Sequence, residues 1–256
     1  MRELWAERDG ARLFAADAGS GPAAVMLHGP MATHGAVRGL VDALAPRFRV
    51  LAPDLRGNGR SHFHGAITFD GLADDVAALL DAAGEADAIV GGVSGGAAVA
   101  VRFALRHPAR LRALVLVTPA YGGAALGLLP AQRAAFTELR ALAERAPAEG
   151  TGVLRPLYER LPEGVQARAL AMLETLDPGS VAATARFLDT GAQPFGAAAE
   201  LRAIRVPALL IPGDDPIHPA EVAAVYAEHL PDCRVEPIAA DRAAAVAAFA
   251  AEVAGR

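Results

Sequence analysis

The chain contains no lysine; all 24 of its basic residues are arginine. That absence removes any chemistry built on an ammonium side chain, including Schiff-base formation, pyridoxal phosphate attachment and the P-loop lysine. Cysteine is almost missing as well, and the single Cys233 excludes an intramolecular disulfide and any multi-cysteine zinc site. Aromatic residues make up only 5% of the 256, whereas alanine supplies about a quarter, so the core is built from small and aliphatic side chains. No run of 18 or more apolar residues occurs, and the Ala-rich C-terminal stretch is interrupted by Asp241, Arg242 and Glu252. Residues 1–9 are too charged for the apolar stretch of a signal peptide. A net charge of −5 without basic runs argues against nucleic acid as a partner. The expectation is a cytoplasmic protein that acts on a small molecule, with neither membrane nor nucleic acid as partner; nothing in the sequence speaks to oligomeric state.

What is present alternates. Extended pieces at Leu4–Arg8 and Arg12–Ala16 flank the turn Asp9-Gly10. The continuous apolar run Ala23–Leu27 reads as a strand buried on both faces, followed by a helical pattern over Val37–Leu44 and a strand over Phe48–Ala52. Thr68 is placed to cap a helix that Gly84 ends. A strand at Ala88–Val90, a helix over Gly95–Arg106 and a strand at Leu114–Val117 come next. From Tyr121 to Ala199 the pattern is helical, punctuated by Pro and Gly, with no convincing strand. Alternation resumes with a strand at Pro207–Ile211, a helix over Ala220–His229, a short strand at Arg234–Ile238 and a last helix from Asp241. Alternating buried strands and helices predict a parallel sheet covered on both faces. The organisation expected is a core over 1–119, a helical insertion over 120–199, and the rest of the core over 200–256.

Gly92-Val93-Ser94-Gly95-Gly96 fits G-x-S-x-G and falls between a predicted strand and a predicted helix. A sharp strand-to-helix turn needs small residues on both sides of the serine. It lifts the hydroxyl above the sheet and sets it at a helix N-terminus, where amide N–H groups stabilise an anion. The competing phosphate-binding fingerprint needs glycines at i, i+2 and i+5; Gly91 and Gly96 fit, but Val93 holds the middle place.

Four landmarks occur in order: His28-Gly29 after a strand, Asp54-Leu55-Arg56-Gly57-Asn58-Gly59-Arg60-Ser61, the serine elbow, and Gly213-Asp214-Asp215-Pro216. Over nearly its whole length the chain resembles the α/β-hydrolase superfamily. The resemblance implies an α/β fold, a mostly parallel sheet flanked by helices with a helical cap insertion, and no cofactor or metal. Carried over residue by residue, it makes Ser94 the nucleophile and the Gly95 N–H one oxyanion donor. The acid follows the strand Ala208–Ile211, which points to Asp215, with Asp214 the second choice because the loop is one residue shorter than the commonest pattern.

Two places depart from that pattern. The superfamily's histidine follows the last strand, yet here Val235–Asp241 runs almost directly into the final helix, and no histidine lies beyond His229. Serine without a neighbouring base is a poor nucleophile. The residue after His28-Gly29 commonly donates an N–H to the oxyanion, but Pro30 has none; the Met31 N–H substitutes only if the loop is shifted. His218 is the best candidate for the base, three residues after Asp215. It is opposed by a reading in which it packs between Pro216 and Pro219 or caps the next helix. His34, His62 and His64 follow loops that border the same edge, and His62-Phe63-His64 offers two imidazoles to a metal without a third ligand beside them. His28, His107 and His229 read as structural, His28 as a brace of its own loop, although it opens the oxyanion and substrate-binding segment that also holds Gly29 and Met31. Asp54 and Arg56 read as structural too.

Two functions remain open. One is a hydrolase of a small ester, lactone or related carbonyl compound acting through Ser94. The other is a non-hydrolytic member: a cofactor-free lyase or cyclase, or a ligand-binding protein without turnover.

Overall fold

The apolar runs become strands in the order β1-β2-β4-β3-β5-β6-β7-β8 across one eight-stranded sheet. They are β1 (Arg2–Arg8), β2 (Ala11–Gly19), β3 (Ala23–Leu27), β4 (Arg49–Pro53), β5 (Ala88–Val93), β6 (Leu111–Val117), β7 (Ala208–Ile211) and β8 (Cys233–Val235). The computed structural model describes residues 1–161 and 163–255. From β4 to β8 every neighbouring pair is parallel, while β2 pairs antiparallel with both β1 and β4. The crossovers are α1 (Arg38–Leu44), α2 (Phe69–Ala83), α3 (Gly95–Arg106) and α9 (Ala220–His229), and α10 (Arg242–Ala254) follows the last strand. Between β6 and β7 lie α4 (Pro130–Ala143), α5 (Ala146–Glu149), α6 (Arg155–Tyr158), α7 (Glu163–Leu173) and α8 (Pro178–Asp189), with no strand among the described residues.

The pleat explains why the central runs are apolar at every position. Val25, Leu27, Leu114, Leu116 and Leu210 face a core shared with α2, α3, α9 and the inserted helices. Their neighbours Ala24, Met26, Val115, Val117, Leu209 and Ile211 face the opposite core, closed by Val41 and Leu44 of α1 and Val246 and Phe249 of α10. Alternate residues of a strand point to opposite faces, so a strand covered on both must be apolar throughout. Thr68 caps α2 by accepting the Gly71 N–H at 3.0 Å, and Gly84 ends it at φ 73°. β8 starts one residue before and ends three residues before the predicted Arg234–Ile238 strand, with the Glu236 N–H still donating to Leu210 O at 2.9 Å just past its end. Among the described residues no helix is long and apolar enough to cross a membrane.

The inserted helices meet loops at the C-terminal ends of the strands. The Tyr158 hydroxyl of α6 donates to Met31 O after β3, and Thr184 of α8 donates to Gly57 O after β4, each at 2.9 Å. That edge also carries three of the four described non-glycine residues with positive φ: Met31 (57°), Ser94 (57°) and Thr118 (42°). Backbone strain of this kind costs about 1–3 kcal/mol per residue and persists only where the surroundings enforce it.

Candidate active site

Ser94 stands between β5 and α3 at φ 57° and ψ −120°. Its flanking glycines are dictated by close approach of backbone to backbone. A Cβ on Gly92 would lie 2.2 Å from the Gly96 carbonyl carbon, and one on Gly96 would lie 2.6 Å from the carbonyl oxygens of Leu27 and His28. The Ser94 N–H donates to Val117 O at 3.0 Å, which ties the turn to β6. Gly95 opens α3, so its N–H has no acceptor within the helix and projects from a positive dipole end.

The loop after β7 brings the partners. Asp215 Oδ1 accepts the N–H groups of Ile217 (2.8 Å) and His218 (3.0 Å), which closes a tight turn. Gly213 lets that turn fold back, since a Cβ there would lie 2.5 Å from the His218 Cβ. The His218 ring is thereby held between two groups: Nδ1 is 2.8 Å from Asp215 Oδ2, and Nε2 is 2.8 Å from Ser94 Oγ. A carboxylate only accepts, so the network assigns the ring proton to Nδ1 and leaves Nε2 to accept the serine O–H. Burial raises the Asp215 carboxyl, but the bonds from the His218 ring and the Ile217 amide outweigh it and hold the group below the usual carboxylate range. The Asp215 side chain is 54% exposed and that of His218 is 20% exposed. Asp214 is exposed and has no partner among the described residues.

The alternative placement of His218 as a helix cap is not what the structure shows. α9 is preceded by Pro219 and has no side-chain cap. The other histidines are engaged elsewhere or exposed. His34 Nδ1 lies 2.8 Å from Asp54, His64 Nε2 lies 2.6 Å from Asp177, and His62 is exposed. The sequence after β8 contains no histidine, and Asp241 there caps α10 through the Ala243 and Ala244 amides.

The oxyanion loop differs from expectation at Met31. Its N–H donates to Asn58 Oδ1 at 2.9 Å and is therefore not free to receive a substrate oxygen. Pro30 has no N–H, and its ring fills the space a Gly95 side chain would need, 2.6 Å from the ideal Cβ position. His28 is fully buried; its Nδ1–H donates to Gly29 O, its Nε2 accepts the Leu55 N–H, and burial pushes its pKa down. Both ring nitrogens thereby brace the loop. Gly29 lies against the serine, 3.3 Å from Ser94 Cβ to an ideal Cβ. Asp54 and Arg56 are buried in structural roles: Asp54 accepts from His34 and Arg60, and Arg56 forks onto Asp75.

A cavity opens beside Gly95 and Pro30, walled by Leu55, Phe69, Tyr121 and Phe187, with Asn58 a polar member. Gln132 of α4 is a residue that sequence reasoning missed. Completely buried, it donates to Ala120 O (2.6 Å) and Ile217 O (2.8 Å) and accepts the Leu129 N–H. It ties the inserted helices to the loop that carries His218. A glutamine in an alanine-rich helix gives no signal of that, whereas Asn58 stood within a recognised turn motif.

Residues 22–243 match the α/β hydrolase fold family. A pimeloyl-[acyl-carrier protein] methyl ester esterase from Nitrosomonas europaea is 32% identical over 235 residues, 85% of this chain and 86% of that one. Lipase LipV from Mycobacterium tuberculosis is 40% identical over 102 residues, only 40% of this chain and 39% of its own. Among solved structures, a thermophilic esterase from Thermogutta terrifontis superposes with a TM-score of 0.77 at 26% identity, covering 100% of this chain and 96% of its own. The elbow, the sheet order and a family match spanning most of the chain agree: this protein belongs to the α/β hydrolase fold family.

Proposed function

We propose that the protein is a serine hydrolase of small esters, lactones or related carbonyl compounds, with Ser94 as nucleophile, His218 as base and Asp215 as the carboxylate that orients it. The observation that carries this reading is the pair of 2.8 Å contacts on the two nitrogens of one imidazole. Nucleophile, base and orienting acid in hydrogen-bond reach are the requirement for activating a hydroxyl. The relatives named for ester hydrolysis support the same class.

Ser94 Oγ attacks the carbonyl carbon as its proton passes to His218 Nε2. The carbonyl π electrons move onto oxygen, where the Gly95 N–H donates. Collapse of this intermediate restores the carbonyl, breaks the bond to the departing oxygen, and returns the proton from Nε2 to it. Water then attacks the acyl-serine, giving its proton to Nε2, and the acid leaves as Ser94 is regenerated. No cofactor enters these steps. A base beside Asp215 also fills the gap that favoured a non-hydrolytic member, although Pro30 still speaks for that alternative.

The test is turnover of p-nitrophenyl acetate by the full chain and by Ser94→Ala. Hydrolysis abolished in the variant is the expected result. Equal rates with and without the serine hydroxyl would remove the reading.

A further inference from the structure

We infer that the oxyanion site offers a single backbone amide, and that Pro30 thereby restricts the enzyme to acyl compounds with an activated leaving group. This rests on the serine-hydrolase reading above and specifies which of its candidate substrates are turned over well. The class is aryl, enol and similarly activated esters, in preference to simple alkyl esters.

Three observations close off the second donor. Pro30 stands directly after His28-Gly29, has no N–H, and packs its ring on Gly95, whose own N–H opens α3 without an acceptor in the helix. Met31 N–H, the next amide along, is spent on Asn58 Oδ1. Met31 cannot easily turn away from that bond, because its carbonyl is held by the Tyr158 hydroxyl at 2.9 Å and Asn58 is itself buried, donating to Arg56 O at 3.2 Å. The loop is thus pinned from the β4 side through Asn58 and from the inserted helices through Tyr158.

The consequence is differential. Removing one oxyanion donor costs about 10²–10³ in kcat when full charge develops on the carbonyl oxygen. An alkyl ester expels a basic alkoxide only after that charge has formed, so it bears the whole loss. An aryl or enol ester expels its leaving group readily and needs less from the missing donor. The rate therefore falls steeply as the departing alcohol becomes less acidic.

The experiment is a leaving-group series of acetate esters, from p-nitrophenyl through phenyl and trifluoroethyl to ethyl, run on the full chain and on Pro30→Ala, which restores an N–H at position 30. The unaltered protein is expected to show a steep fall of kcat/KM along the series. Pro30→Ala is expected to gain roughly 100-fold on ethyl acetate while p-nitrophenyl acetate changes by less than about threefold, which flattens the slope. A Pro30→Ala slope parallel to the original overturns the inference and leaves the serine-hydrolase reading standing. Should that variant fail to fold, the unaltered protein alone decides: a shallow dependence on leaving group overturns the inference. If no ester of the series is turned over in a Ser94-dependent way, both readings fall together.

Discussion

Replacing Asp215 with asparagine changes one atom that matters. Oδ1 can still accept the Ile217 and His218 amides at 2.8 and 3.0 Å, so the turn survives. Oδ2, 2.8 Å from His218 Nδ1, becomes an NH2 donor. Nδ1 must then accept, the ring proton moves to Nε2, and the face presented to Ser94 donates where it should accept. At a buried acid that tautomer error costs about 10⁴ in kcat. Here the carboxylate is 54% exposed. A charge pair 4 Å apart is worth about 1 kcal/mol in water against about 4 kcal/mol near a protein surface, so solvent has already removed part of what the buried acid supplies. The expected loss for Asp215→Asn is therefore about 10²–10³ in kcat/KM, or about 2.7–4 kcal/mol. It is read from p-nitrophenyl acetate hydrolysis, with thermal unfolding as the check that the fold is kept, and Asp214→Asn should match the unaltered protein. An Asp215→Asn rate within threefold of the original would refute the orienting role.

Further outcomes follow from the same geometry. Gln132→Leu leaves the Ala120 and Ile217 carbonyls and the Leu129 amide without their side-chain partner; unfolding measurements should show a loss of about 2–4 kcal/mol, and steady-state kinetics should show kcat down about tenfold with KM nearly constant as the His218 loop loosens. Gly92→Ala drives a Cβ into the Gly96 backbone and should cost about 3 kcal/mol or more, whereas Gly39→Ala in α1 meets nothing within 4 Å and should stabilise by about 0.5–1 kcal/mol in denaturant melts. Burial lowers the His28 pKa in the folded state, so below about pH 6.5 the unfolded chain binds a proton the native chain refuses. Stability should accordingly fall with decreasing pH by up to about 1.4 kcal/mol per unit from this group, and a His28→Asn variant, compared in denaturant melts from pH 7 to 5, should lose that increment.

Much of the scaffold is legible in residue patterns because local physics decides it. Ala23–Leu27 is apolar at every position because both faces of β3 are covered. Thr68 and Gly84 mark the two ends of α2 by side chain and by φ. Gly92 and Gly96 on either side of Ser94 announce the strand-to-helix turn because only glycine fits where backbone meets backbone. The candidate site was legible in part. Asp215 and His218 are identifiable as residues, but the direction of the imidazole depends on a fold-back over Gly213 that no local pattern encodes. The bond from Met31 to Asn58 joins two loops 27 positions apart, and the bond from Gln132 to Ile217 spans 85. Such pairings depend on which loops the sheet order brings together, and a linear reading of polar residues does not contain that.

In the proposed mechanism the base for Ser94 comes from the loop after β7. The direct measurement is the rate of fluorophosphonate labelling, followed by intact mass, for the unaltered protein, Ser94→Ala, His218→Ala and His229→Ala. A single adduct absent from Ser94→Ala, slowed at least about 100-fold in His218→Ala and unchanged in His229→Ala is the predicted result. Labelling of Ser94 at an undiminished rate without the His218 imidazole would contradict it.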